Sequence, residues 1–143
     1  MKALLRQSAL LLALALLPAA VQAFYFRHRI PWQSRVAESE LVSVDIARGW
    51  GASAIWVDAR ATDEFERDHV AGAVSLNEDR WGEALSQFLA KDWTPEKKIV
   101  VYCSAESCNL AEDVARRLRD EAKLPNEIRI LKGGWEAWRA QKK

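Results

Sequence analysis

A chain of 143 residues with 21 Lys and Arg against 20 Asp and Glu is close to neutral, which leaves no electrostatic footprint for nucleic acid or an anionic membrane surface. The length suffices for one domain with its own core and excludes two. Two cysteines, Cys103 and Cys108, exclude the disulfide framework of a tiny secreted scaffold.

At the N-terminus Lys2 and Arg6 form a positive region, and Ser8 to Ala20 is almost wholly apolar. Val21-Gln22-Ala23 then has the small-x-small form of a signal peptidase site. Residues 1–23 therefore read as a signal peptide. The alternative is an uncleaved anchor, because Ser8 to Phe26 is just long enough to span a bilayer at roughly 20 residues. Either way the remainder is exported, periplasmic or secreted, and it touches a membrane only if the N-terminal segment is retained. Cleavage would leave 120 residues with 19 bases and 20 acids. Residues 24–40, with Arg27-His28-Arg29 and Pro31, show no period and read as a lead-in or tether. Residues 41–143 form the domain.

Ala54-Ile-Trp-Val-Asp58, Ile99-Val-Val-Tyr102 and Ile128-Arg-Ile-Leu131 are short apolar runs with the pattern of buried strands, and Leu41 to Val44 is a weaker fourth. Helical patterns lie between them. Asn109 to Ala122 sets Leu110, Val114 and Leu118 on one stripe with Ala111 and Ala115 beside it, and charges on the opposite face. Asn109 with Glu112 resembles a capping box. Trp81 to Leu89 and Trp135 to Gln141 are further helices. Such alternation predicts an α/β fold with a parallel sheet covered on both faces.

Both cysteines fall in the stretch VYCSAESCN. Cys103 follows the carboxyl end of a strand, and the chain then runs into a helix N-terminus. In open α/β sheets ligands bind at that place. Free amides and the helix dipole favour an anion there, and the same surroundings favour a thiolate. Cys103 is read as a nucleophile. A bridge to Cys108 would close only a short loop and stabilise little, and the C-x4-C spacing is not that of a zinc knuckle; no metal site is expected. Cys108 stands as either a loop-packing residue or a resolving thiol, since a short loop can bring two Cα atoms within the ~4.4–6.8 Å of a disulfide.

Three segments together resemble the single-domain rhodaneses, a sulfurtransferase family: VDARATDEFERDHVAGAVSL (Val57 to Leu76), the VVYC junction (Val100 to Cys103) and LKGGWEAW (Leu131 to Trp138). The resemblance implies a five-stranded, mostly parallel sheet with helices on both faces. It also implies that Cys103 accepts a sulfane sulfur from a small donor, holds it as a covalent persulfide without a cofactor, and passes it to a thiol or an acceptor protein. The backbone amides of Ser104, Ala105, Glu106, Ser107 and Cys108 would cradle the bound sulfur. The loop departs from the family's pattern, with Glu106 at a position the family often fills with Gly and Cys108 at the sixth. An acid beside the cradle disfavours the thiosulfate dianion, so thiosulfate is expected to be a poor donor.

Asp58 and Arg60 read as a buried structural pair at a strand end, with Arg60 also a source of positive potential near Cys103. His69 reads as a turn residue bonded to nearby backbone, and His28 belongs to the tether. Gly133 and Gly134 allow close backbone approach beside the loop. Trp56 is core, and Trp135 and Trp138 pack the last helix. A monomer is expected. Three functions stay open: an exported sulfurtransferase or persulfide carrier, a thiol–disulfide redox protein using Cys103 and Cys108, and a catalytically idle module that binds a partner.

Overall fold

The three apolar runs are strands because β-branched and aromatic residues, buried on both faces, suit a parallel ladder. In the computed structural model, which describes residues 6–7, 36–104 and 109–141, they are β2 (Ala54–Asp58), β4 (Lys98–Tyr102) and β5 (Ile128–Leu131). Two further strands, β1 (Leu41–Val42) and β3 (Val74–Ser75), complete a five-stranded sheet in the order β1-β5-β4-β2-β3. Every pairing in it is parallel. β1 stops two residues short of the expected end because Ser43 caps a helix, α1 (Val44–Gly49), its side chain accepting from the Ile46 amide at 3.4 Å.

The remaining helices are α2 (Thr62–Arg67), α3 (Trp81–Lys91), α4 (Asn109–Asp120) and α5 (Gly134–Ala140). The strand period of two deals the side chains into two cores. Ile55, Val57, Ile99, Val101, Ile128 and Ile130 face α3 and α4, where Phe88, Val114 and Leu118 meet them. Trp56, Val100, Tyr102 and Leu131 face the opposite way, toward Val44 and Ala47 of α1 and Trp135 of α5. The Trp138 ring sits 4.7 Å from that of Trp56.

One expectation about α4 needs correction. Its buried face is Ala111, Val114, Ala115 and Leu118, while Leu110 is 42% exposed. The small Ala111 and Ala115 let the helix axis lie close to the sheet, and that centres contact on their side and turns Leu110 outward.

Residues 1–5 and 8–35, holding most of the expected signal segment and the start of the lead-in, lie outside the described residues, as do 105–108 and 142–143. Among the described residues no helix is long and apolar enough to cross a membrane. The end of the lead-in forms a 3-10 turn, Glu38–Glu40, in which Glu38 pairs with Lys132 at 3.6 Å and Glu40 with Arg119 at 3.1 Å. Arg129 also donates to the Ser39 carbonyl.

Candidate functional site

The site lies at the carboxyl edge of the sheet, where register sets the neighbours. Asp58 on β2 is level with Tyr102 on β4 and with Ser75 on β3. The ladder runs one step further, as the Ala59 amide donates to the Tyr102 carbonyl at 2.9 Å. Cys103 is the next residue. It continues the alternation of β4, so its side chain joins the core with Val101, Ala59 and Ala111, and it is 3% exposed.

The Cys103 carbonyl accepts from the Trp135 amide at 2.7 Å. That contact depends on the turn between β5 and α5. Gly133 (φ 75°) and Gly134 (φ 52°) are both left-handed, a conformation that costs a residue with a Cβ roughly 1–2 kcal/mol. Two glycines in series therefore bring the first turn of α5 against the backbone that carries Cys103.

Asp58 and Arg60 meet as a fork. Arg60 Nε donates to Asp58 Oδ1 and Oδ2 at 3.0 and 3.1 Å, and Nη2 to Oδ2 at 2.6 Å. The Arg60 amide also bonds Oδ1 at 2.9 Å, and Nη2 reaches the Asp68 carbonyl at 2.7 Å. The guanidinium lies 4.5 Å from the Trp135 ring centre. Burial works against its charge, but hydrogen bonds and attraction from Asp58, with smaller help from Tyr102 and Glu64, outweigh it and raise its pKa. With both groups buried and the fork spent on Asp58 and Asp68, Arg60 is bound into the scaffold. His69 Nδ1 lies 2.8 Å from the Phe65 carbonyl, and its ring stacks on Phe65 at 4.0 Å.

Ser104 turns toward α2, donating from Oγ to Glu64 Oε1 at 3.2 Å. Sequence reasoning assigned Glu64 no role, although it stands in the Glu-Phe pair of the first motif; a contact between residues 64 and 104 has no local signal. On the far side of α2, Thr62, Phe65 and Glu66 face Arg80, Glu83 and Gln87 of α3 across a cleft of about 260 Å³. Asn77 ties its floor to Thr62 at 2.9 Å. Ala105, Glu106, Ser107 and Cys108 lie outside the described residues, so the expected amide cradle, the Glu106 charge and the position of Cys108 receive no geometry.

A family model described as "Rhodanese-like domain" matches residues 45–141. Among solved structures, the BH2092 protein from Bacillus halodurans is 25% identical, covering 87% of this chain and 82% of that one with a TM-score of 0.55. The rhodanese-like domain of the Alr3790 protein from Anabaena sp. is 20% identical and covers 71% of this chain and 74% of that one, with a TM-score of 0.56. A curated relative, the HTH-type transcriptional regulator Rv0324 of Mycobacterium tuberculosis (strain ATCC 25618 / H37Rv), is 29% identical over 83 residues, 58% of this chain. The chain spans only 33% of that regulator's length.

Proposed function

The chain belongs to the rhodanese-like domain family, which carries sulfurtransferase-type or sulfur-related roles, and from that premise we propose that it is an exported persulfide carrier with Cys103 as its nucleophile. The observation that carries this reading is the position of Cys103. It is the first residue beyond β4, its carbonyl is fastened to the α5 amide of Trp135, and the chain after it leads to the N-terminus of the 12-residue helix α4. The Trp135 contact fixes the peptide plane shared by the Cys103 carbonyl and the Ser104 amide, the first of the amides proposed to meet a developing sulfur anion.

In the loading step the Cys103 thiolate attacks the outer sulfur of a donor. A Cys103–sulfur bond forms, the donor's own sulfur bond breaks, and the leaving group departs with the electron pair. In the unloading step an acceptor thiolate attacks the terminal sulfur of the persulfide, takes it as a new persulfide, and returns the Cys103 thiolate. Each step exchanges one bond for another and needs no outside oxidant or cofactor. The export reading rests on the sequence of residues 1–23 and puts the work in the periplasm or outside the cell.

Intact-mass analysis of the exported protein, before and after reduction and after incubation with a sulfane-sulfur donor, tests this. The expected result is a chain beginning near Phe24 that gains one sulfur atom on Cys103. Normal transfer by Cys103→Ser would sink the reading of Cys103, and a chain in the membrane still carrying residues 1–23 would sink cleavage.

One observation favours a second reading. A cysteine residue only 3% exposed suits a closed resting form better than one open to donors. In that reading the Cys108 thiol attacks the Cys103 sulfur of the persulfide, a disulfide forms and hydrosulfide leaves. The oxidising compartment would then keep the pair closed until a thiol opened it. Non-reducing peptide mapping of the resting protein decides between an intramolecular bridge and two thiols.

A further inference from the structure

We infer that Glu64 is a specificity-determining residue, an acid fixed at the mouth of the Cys103 site that selects against anionic donors. The inference rests on the proposed sulfur-transfer reading and deepens it.

Glu64 reaches Ser104 Oγ at 3.2 Å from a helix 40 residues away in sequence. Ser104 adjoins Cys103, so the carboxylate is tied to the residue next to the reacting one. The neighbouring cations are engaged elsewhere. Arg60 is forked onto Asp58 and the Asp68 carbonyl, and Arg67 pairs with Asp63 at 3.4 Å. Asp58 and Arg60 cancel as a pair, and among the described residues Glu64 makes no salt bridge. Among these described groups the pairs Asp58–Arg60 and Asp63–Arg67 balance, and Glu64 leaves one negative charge.

A simpler role for Glu64 is to offset the dipole of α2, where it is the third helical residue. That role fits Asp63 equally well, and it gives no reason for the contact with Ser104. The Ser104 contact ties the acid to the residue that follows Cys103 instead. A donor carrying two negative charges meets repulsion there, a donor with one meets less, and a zwitterion with an ammonium group meets none.

The test uses Glu64→Gln, whose amide oxygen still accepts from Ser104 while the charge is gone, beside Ser104→Ala, which removes the tie and keeps the charge. Donors are thiosulfate (dianion), benzenethiosulfonate (monoanion) and cysteamine persulfide (zwitterion). On attack by the Cys103 thiolate these release sulfite, sulfinate and cysteamine thiolate respectively. Glu64→Gln should raise kcat/KM about tenfold for thiosulfate, less for the monoanion and not for the zwitterion, with gains that shrink as salt is added. Ser104→Ala, which frees the acid but keeps its charge, should relax the discrimination in the same order and by less. An equal effect of Glu64→Gln on every donor, or none on any, overturns the inference.

A second readout is independent of sulfur transfer. In the reduced protein, Cys103 alkylation by anionic iodoacetate relative to neutral iodoacetamide, read by peptide mass, should rise about threefold in Glu64→Gln. If that ratio rises and no donor loads the protein, Glu64 stands and the sulfur-transfer reading falls. If donors load and neither ratio moves, Glu64 falls alone. A reduced Cys103 that resists both reagents also counts against the inference, because the site then admits nothing for Glu64 to select.

Discussion

The amide of Trp135 holds the carbonyl of Cys103 at 2.7 Å, so the last helix of the domain is fastened to the residue proposed to carry sulfur. The fastening depends on Gly133 and Gly134, both left-handed. Gly134→Val should cost at least about 1–2 kcal/mol in urea unfolding, from left-handed strain on a β-branched residue. Gly134→Asn should cost less, since Asn tolerates that conformation. Sulfur loading should fall in the same order. A Gly134→Val protein of unchanged stability would show that the turn is free to change its shape.

The buried fork between Asp58 and Arg60 leads to a prediction about stability rather than chemistry. Asp58→Asn leaves the Arg60 guanidinium inside the protein, 3% exposed, with its charge partner gone, and such losses typically cost about 3–5 kcal/mol. Replacing both residues with Asp58→Leu and Arg60→Met should cost clearly less than either single change. Denaturant unfolding of the two single variants and the double variant gives the coupling. Additive losses would mean that the two side chains do not act as a pair.

What the sequence made legible follows the length of each element. β2, β4 and β5 hold four or five residues each, enough for a buried run to stand out between charged ends. β1 and β3 hold two each, and α1 and α2 six, too few to repeat a period of 2 or 3.6 residues, so the pattern does not single out β3, α1 or α2. At the site, Cys103, Asp58 and Arg60 stood out because strand ends can be seen in sequence. The engagement of Arg60 with Asp68 did not, nor did the contact of Glu64 with Ser104, because each depends on tertiary placement of a loop or helix.

The facing of α4 can be measured directly. Leu118 is fully buried and Leu110 is 42% exposed. Leu118→Ala should therefore cost about 2–5 kcal/mol and leave a cavity against β4 and β5. Leu110→Ala should stay within about 0.5 kcal/mol. Thermal or urea unfolding separates them, and equal losses would mean that the helix presents the stripe first expected from its sequence.

Tyr102 links stability to alkaline pH. Its ring is fully buried beneath the sheet edge, and its hydroxyl accepts from the Val70 amide at 3.1 Å. Burial pushes its pKa well above the usual tyrosine value; the Val70 bond opposes this, Asp58 adds to it and Arg60 opposes it. In the unfolded chain the group ionises near pH 10. The folded form keeps its proton where the unfolded form loses it, so this contribution is complete below about pH 10 and is lost as pH rises toward the folded value. The loss approaches about 1.4 kcal/mol per pH unit in that window. Tyr102→Phe removes the linkage, and near neutrality it should cost about 1 kcal/mol or more because a buried amide loses its acceptor. Unfolding midpoints measured from neutral to strongly alkaline pH should therefore converge, the wild type starting higher and falling faster. Curves that stay parallel throughout would mean that the Tyr102 hydroxyl ionises in the folded protein as readily as in the unfolded chain.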